Sequence, residues 1–411
     1  MRVLYDEKKQ KIPVKFWLDI DKLEHSALEQ ALNLSRLPFA YHHVSIMPDS
    51  HTGYGMPIGG VLATQGVVIP NAVGVDIGCG MCAVKTSIKN ISLEQLKTIM
   101  GKIREIIPVG FNKHKEPQDK MLMPNWDEGN IESKYNFTMI DNKRYCYPIS
   151  PVLFDKALYQ LGTLGGGNHF IEIQKGDDGY IWIMIHSGSR NLGKQVADHY
   201  NKIAKALNKK WYSVVPTSYD LAFLPLDSDE GKDYIKEMEY CVEFALANRK
   251  LMMGRILNLM ALQNLISIGE LPDLVRNMIN IAHNYASLEN HFGKNVVVHR
   301  KGATLARKDI IEIIPGSQGT KSYIVKGKGN PESFYSCSHG AGRIMSRSKA
   351  KQVLNLEEEQ NKLVGIVHSI RNTKDLDEAS GAYKDIDEVM KNQADLIEIV
   401  TELTPLGVVK G

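Results

Sequence analysis

Asp76, Cys79, His169, His186, His283 and His339 combine side chains capable of metal or phosphoryl chemistry with glycine-dense, mostly apolar surroundings. A carboxylate, a thiol and imidazoles can share cations, and a further histidine can serve as a nucleophile toward phosphorus. Spacing discriminates between architectures. A small autonomous metal module keeps its ligands close in sequence, whereas these residues run from position 76 to position 339. The pattern predicts a metal-centred catalytic pocket assembled late in folding and argues against a zinc finger.

Each motif also has a plainer reading. In Gly74-Val-Asp-Ile-Gly-Cys-Gly-Met81 a Gly-x-Gly turn can aim a carboxylate and a thiolate at one point; alternatively Asp76 caps a turn and Cys79 is a small buried residue. Cys79-Gly-Met-Cys82 is a CxxC, the pattern of a zinc knuckle or redox dithiol, yet no second CxxC and no thioredoxin-like context accompany it. In Gly162-Thr-Leu-Gly-Gly-Gly-Asn-His169 three consecutive glycines expose backbone N–H groups beside Asn168 and His169, which suits a phosphate or a metal-bound nucleotide; a satisfied turn histidine is the alternative. Gly188-Ser-Arg-Asn-Leu-Gly-Lys194 narrowly misses the P-loop pattern, because Gln195 lacks the hydroxyl that would hold Mg²⁺. A turn in which Arg190 faces an anion fits better. Ser336-Cys-Ser-His-Gly-Ala-Gly-Arg343, followed by Ser346, Arg347, Lys349 and Lys351, puts a histidine among glycines that admit a phosphate and arginines that neutralise it. Imidazole is largely unprotonated at neutral pH, so it attacks phosphorus without the pKa depression a lysine needs; a capping or core histidine is the alternative.

Positioning these residues requires an α+β fold. The pattern predicts a helix over 27–37, short buried strands over 60–85 with 67–69 and 72–76 clearest, and a helix over 92–107 opened by Ser92 with Glu94 as its capping signal. A buried strand over 180–185 delivers His186 at its carboxyl end. Apolar residues at three-to-four spacing predict the longest helix over 233–266, interrupted at Arg249; its methionines read as core. A helical run over 274–282 leads to His283, residues 295–299, 310–314 and 323–325 form an antiparallel set, and a helix over 382–403 precedes Val408–Gly411. No internal repeat or low-complexity linker divides the chain. The expectation is one interwoven domain over 1–411, antiparallel-rich central sheets flanked by helices, with a basic and aromatic insertion at about 112–151. That insertion, with Lys113, Lys115, Lys120, Trp126, Lys134, Tyr135 and Arg144, reads as a solvated segment or as a contact for an anionic polymer, as does Lys209–Trp211.

The 411 residues, 43% hydrophobic and 24% charged, suffice for a large core. A formal charge of +3 is too mild to announce nucleic acid by itself. Five cysteines form an odd set and Met1–Gln10 resembles neither a signal nor a transit peptide, so the expected compartment is the reducing cytoplasm. Glycines and prolines break the uncharged stretch 52–75 too often for a membrane span.

Met47-Pro-Asp-Ser-His51, Gly53-Tyr-Gly-Met-Pro-Ile-Gly-Gly60, the glycine motifs above, His186-Ser-Gly-Ser-Arg190, His283-Asn-Tyr285, Arg300-Lys-Gly-Ala303, Pro315-Gly-Ser-Gln-Gly319 and His339 to Arg347 together resemble the RtcB family of RNA ligases, in its shorter bacterial form. The resemblance covers nearly the whole chain. It implies a GTP- and Mn²⁺-dependent ligase that joins RNA 3′-phosphate or 2′,3′-cyclic phosphate ends to 5′-hydroxyl ends, in RNA repair or tRNA splicing, with an archease-type activator as a candidate partner and no membrane. By motif match Asp76, Cys79, His169, His186 and His283 would ligate two ions, with Cys79 bridging them, and His339 would carry GMP. Asn168, Glu172, Ser317, Gly340, Ala341, Gly342, Arg343, Tyr383 and Lys410 would bind the nucleotide, with Tyr383 stacked on guanine; Arg190, Asn284 and Arg347 would hold phosphates or RNA. Gln318 stands where the family has Met, and Cys82 lies outside the family's site. A metal-dependent 2′,3′-cyclic phosphodiesterase that never joins RNA, and an idle RNA-binding protein, are the competing expectations.

Overall fold

Period-two alternation of side chains builds the sheet that carries most of the site. The computed structural model describes residues 1–125, 137–140, 143–146, 149 and 151–411. Seven strands lie in the order Ile279–Ala282, Gly80–Lys85, Ile181–Ser187, Phe170–Gly176, Ile397–Lys410, Ser322–Gly327 and Ile311–Ile314, each antiparallel to its neighbour. The two edge strands approach within 8 Å between Cα atoms, so the sheet almost closes on itself. Met81, Ala83, Phe170, Trp182, Met184, Ile313, Ile324, Leu403 and Val408 meet in one core inside the curve. The alternate residues, among them Cys82, Val84, Ile171, Ile173, Ile183 and Ile185, pack with apolar side chains of the helices Leu93–Ile106 and Asp229–Leu262. Because alternate side chains share a face, His186 follows Met184 inward, Glu172 follows Phe170 and Lys410 follows Val408.

A second, six-stranded sheet runs Arg2–Leu4, Val14–Phe16, Ala40–His51, Ile58–Thr64, Lys294–Lys301 and Asn284–His291. Only Val14–Phe16 and Ala40–His51 pair in parallel. The helix His25–Ser35 covers it with Ala27, Ala31 and Leu34. Two elements of this half reach the site: the strand Ala40–His51 brings Asp49, and Ser336–Ser338, paired with Ala303–Leu305, leads directly into His339.

The expected fold class, α+β with antiparallel-rich sheets flanked by helices, is the one observed. Several local expectations are corrected. The segment 72–76 is no strand: Pro70 opens the short helix Pro70–Val73 and Gly74, at φ +94°, ends it. The strand Gly80–Lys85 therefore follows the Asp76–Cys79 loop instead of preceding it. Ser92 caps its helix in a capping box with Gln95, not Glu94. The long helix spans Asp229–Leu262 without a break, since Arg249 is fully buried with backbone and side-chain acceptors around its guanidinium. The helical run before His283 stops at Arg276, and β-branched Ile279 and Ile281 form a strand that pairs with Gly80–Lys85. The segment 382–403 holds only the helix Ile386–Asn392; from Ile397 a β-branched run continues as a 14-residue strand. Of the three strands expected as one set, Ile311–Ile314 and Ser322–Gly327 pair, but Lys294–Lys301 belongs to the other sheet. Part of the 112–151 insertion, including Trp126, Lys134 and Tyr135, lies outside the described residues. No helix among the described residues is long and apolar enough to cross a membrane.

Candidate active site

The five predicted ligands converge on one cluster, buried except for the half-exposed Asp76. Cys79 Sγ lies 3.4 Å from His169 Nε2 and 3.3 Å from His186 Nε2, His186 Nε2 lies 3.4 Å from His283 Nε2, and His169 Nε2 lies 3.5 Å from Asp76 Oδ2. The thiol thus sits centrally, with Asp76 and His169 on one side and His186 and His283 on the other. Cys79, His169 and His186 present donor atoms within 4.8 Å of one another.

Hydrogen bonding fixes the tautomers in a way that favours a cation. The Nδ1–H of His169 donates to Leu164 O at 2.9 Å and that of His186 to Asn168 O at 3.0 Å, which leaves both Nε2 lone pairs directed at the thiol. Burial, and then the Asp76 carboxylate, push the Cys79 thiol well above its ordinary pKa. Burial, joined by the neighbouring histidines, holds His283 well below its ordinary value and therefore neutral. Converging lone pairs around a thiol that resists ionisation in isolation fit a bound cation, which would stabilise the thiolate. Cys82, three residues on in the strand Gly80–Lys85, instead packs into the apolar core, which removes the CxxC readings.

The long helix supplies the scaffold. Asn248 accepts from the N–H of Gly162 and Thr163 and donates to Thr163 O, Ser187 Oγ and Gly188 O. Arg249 donates to Gly78 O at 3.0 Å, Ser187 O at 2.8 Å and Asn280 Oδ1 at 2.8 Å. One helical turn therefore fastens the loops that carry Cys79, His169 and His186. Asn248 carried no signal in the sequence and Arg249 stood out only as an interruption of the helix, since their neighbours Ala245 and Met252 share the apolar spacing and only the fold shows what the polar pair holds. Gly165 is required in this region, since at φ +99° any Cβ would strike Arg190 and the His169 ring.

His339 completes the site from the end of the strand Ser336–Ser338. Its ring centroid lies 4.8 Å from that of His283, and its Nδ1 lies 2.6 Å from Asp49 Oδ2, which also accepts the His339 backbone N–H at 3.1 Å. Asp49 is fully buried; against that burial, His339 holds its carboxyl below the ordinary value. An Nδ1–H donated to Asp49 leaves Nε2 of His339 with its lone pair.

A pocket of about 920 Å³ joins these groups to the predicted nucleotide residues. Its walls include Asp76, Cys79, His186, His283, Asn284 and His339, together with Asn168, Glu172, Ser317, Gly340, Ala341, Gly342, Arg343, Arg347, Tyr383 and Lys410. Burial raises Glu172 to about 8 against the pull of Lys410, whose own pKa burial lowers. Glu378, which carried no sequence signal, anchors one wall: it accepts from Arg343 NH1 at 2.9 Å, from Arg347 Nε at 2.5 Å and from the Tyr383 hydroxyl. Gln318 donates to Glu378 O at 2.9 Å. Asn284 donates to Asp76 O and accepts from Gly302 N, so it braces the ligand loop. Arg190 turns toward the glycine loop instead, donating to Thr163 Oγ1 and Gly110 O, and is not among the pocket-lining residues.

A thiol, a carboxylate and three imidazoles, three of them close enough to share a cation, lie beside a carboxylate-oriented histidine on an α+β scaffold. The family described as tRNA-splicing ligase RtcB matches residues 30–411. The chain is 39% identical over 402 residues to the RNA-splicing ligase RtcB of Escherichia coli (strain K12), covering 97% of both chains. It is 32% identical over 470 aligned positions to the tRNA-splicing ligase RtcB of Thermococcus kodakarensis, covering 98% of this chain and 96% of that one, and 34% identical over 476 to the namesake of Nanoarchaeum equitans, with the same coverage. The chain belongs to the RtcB family.

Proposed function

We propose that this protein is an RNA ligase that uses GTP and two Mn²⁺ ions to join RNA 3′-phosphate or 2′,3′-cyclic phosphate ends to 5′-hydroxyl ends. The observation that carries the reading is the Asp49–His339 pair, 2.6 Å long, on the wall of the pocket that also holds the metal-type cluster. A phosphodiesterase that only opens cyclic ends has no need of an oriented nucleophile there.

Asp76, Cys79, His169, His186 and His283 would hold the ions, with the central thiolate shared, and the ions would neutralise charge on the phosphoryl groups. His339 Nε2 attacks the α-phosphorus of GTP; a P–N bond forms, the α–β P–O bond breaks and pyrophosphate leaves. The Nδ1 proton stays with the ring, and Asp49 stabilises the positive charge that develops. An oxygen of the RNA 3′-phosphate then attacks that phosphorus and displaces His339, which yields the RNA-(3′)pp(5′)G end. Attack of the 5′-hydroxyl on the RNA 3′-phosphorus forms the phosphodiester and expels GMP. A cyclic end is first opened by hydrolysis.

Glu172 and Lys410, side by side on the inner sheet face, suit the donor edge and the carbonyl of guanine, and Tyr383 offers a ring to stack on it. Arg343 and Arg347, fixed by Glu378, are the candidate phosphate contacts on the pocket wall, and Arg190, hydrogen-bonded to Thr163 and Gly110, would act on phosphate only through the glycine loop it braces. The role in repair or tRNA splicing, a cytoplasmic setting and an archease-type activator belong to the same reading. The test is a joining assay on 3′-phosphate and 5′-hydroxyl RNA with GTP and Mn²⁺. A joined product that requires both is expected; opening of cyclic ends without joining would favour the phosphodiesterase.

A further inference from the structure

We propose that Tyr54 is a stacking platform for the nucleobase next to the RNA joint; the inference rests on the ligase reading above and extends it to the RNA. Tyr54 lines the pocket that contains His339 and Cys79, yet it is 72% exposed. Its ring and hydroxyl have no hydrogen bond, ion pair or ring contact among the described residues.

The backbone beneath this free ring is tied down from several directions. Gln30 exchanges two hydrogen bonds with Gly53, donating to its carbonyl at 2.6 Å and accepting its N–H at 3.1 Å. Thr52 N–H donates to Glu24 at 3.0 Å. Lys301 Nζ donates to Tyr54 O at 2.6 Å and to Asn71 O at 2.9 Å. Gly55, at φ +68°, lies so close to Asp220 O that no side chain fits there. A fixed backbone carrying a solvent-facing aromatic ring loses little conformational entropy when a flat partner settles on it.

Location selects the partner. Lys301 links Tyr54 to Asn71, and its stem lies against Gly74, two residues from Asp76. The Tyr54 backbone is therefore tied next to the segment that carries Asp76 and Cys79, whereas Tyr383 is fixed on another part of the wall by Arg343 and Glu378. With RNA end phosphates at the metal-type cluster and His339, the attached nucleotide lies at the same pocket, and Tyr54 is an exposed aromatic side chain of its wall. A tyrosine face accepts any base, which suits an enzyme acting on ends of varied sequence.

The test uses the full chain and RNA with 2-aminopurine at the terminal position of the 5′-hydroxyl strand or of the 3′-phosphate strand. Binding to the unsubstituted protein and to Tyr54→Phe should quench the fluorescence of one of the two probes, and Tyr54→Ala should abolish that quench and raise the KM for RNA about 5- to 100-fold. Guanylylation of His339 from α-labelled GTP should stay within about twofold in Tyr54→Ala, because Tyr54 touches RNA and not GTP. Unchanged quench and KM in Tyr54→Ala would overturn the proposal, and so would loss of guanylylation together with RNA binding, which would make Tyr54 structural. The quench is read without GTP, so absence of guanylylation from the unsubstituted protein counts against the ligase reading while the probe still scores Tyr54.

Discussion

Asp49 does for His339 what the carbonyls of Leu164 and Asn168 do for His169 and His186: it accepts the hydrogen bond of Nδ1–H and leaves Nε2 able to bond. At His339 the partner is also charged, so in the proposed reaction it would stabilise the cationic imidazole formed with the P–N bond. Asp49→Asn should therefore slow guanylylation of His339 on the order of 10²-fold while leaving metal content unchanged; an unaltered labelling rate would remove Asp49 from the mechanism. The ligand types carry a second consequence. Three imidazoles and a thiolate bind Zn²⁺ more tightly than Mn²⁺ by the Irving–Williams order, so excess Zn²⁺ should inhibit, and undiminished ligation in a Zn²⁺ titration against fixed Mn²⁺ would contradict this. Asp76, Cys79, His169, His186 and His339 were legible as candidates because each sits beside glycines, whereas His283, with no glycine near it, was legible only through the His283-Asn-Tyr285 motif of the family resemblance. Asp49 lay inside the motif 47–51, but its partner is 290 positions away and only folding brings them together. Glu378 was illegible for another reason: in Asp375-Leu-Asp-Glu378 it looks like one more solvated acid, and its burial to 3% depends on the two arginines and the tyrosine it serves.

The long helix and the strand ends it fastens form the unit that sets cluster geometry. Arg249 spans from Gly78 O, next to Cys79, to Ser187 O, next to His186. Arg249→Met retains length and apolar packing but frees both loops, so metal affinity should fall about 10- to 100-fold by titration calorimetry, as removal of groups that orient ligands generally does; native affinity would show that the loops hold themselves. Period-two strands such as 181–187 were legible because both faces are apolar. Segments at 274–282 and 382–403 misled because short apolar runs fit either period, and β-branched Ile279, Ile281, Ile397 and Ile399 decide for strand only once a sheet edge is present to pair with. Arg249 looked like an interruption because a charged residue on an apolar helix face signals a break unless the fold supplies acceptors.

At the scale of the whole molecule the site depends on several sheets keeping their relation, since His169, His186 and His283 lie in or beside strands of the seven-stranded sheet, Asp49 comes from the six-stranded sheet and His339 follows a strand of the separate pair Ala303–Leu305 and Ser336–Ser338. Glu289 and Arg300, on paired strands of the six-stranded sheet, form a buried ion pair with contacts at 2.5 and 3.2 Å, and Arg300 also donates to Phe334 O and Ser336 Oγ in the segment leading to His339. Burial opposes ionisation of Glu289, but Arg300, helped by His291 and Ser287, holds it far below its ordinary 4.5. With the folded pKa depressed, the stabilisation is fully present above about pH 4.5 and is lost as pH falls toward the folded value. Glu289→Gln should thus lower stability at pH 7 by about 3–5 kcal/mol and flatten the acid limb of a denaturation series; an acid limb identical to that of the unsubstituted protein would locate acid sensitivity elsewhere. The most direct test of the central claim is covalent labelling with α-labelled GTP and Mn²⁺, comparing the unsubstituted chain with His339→Ala and chasing onto RNA bearing a 3′-phosphate. The account predicts label retained only where His339 is present and transferred to the RNA end; metal-loaded, folded protein that takes up no label, or takes it up equally without His339, would contradict it.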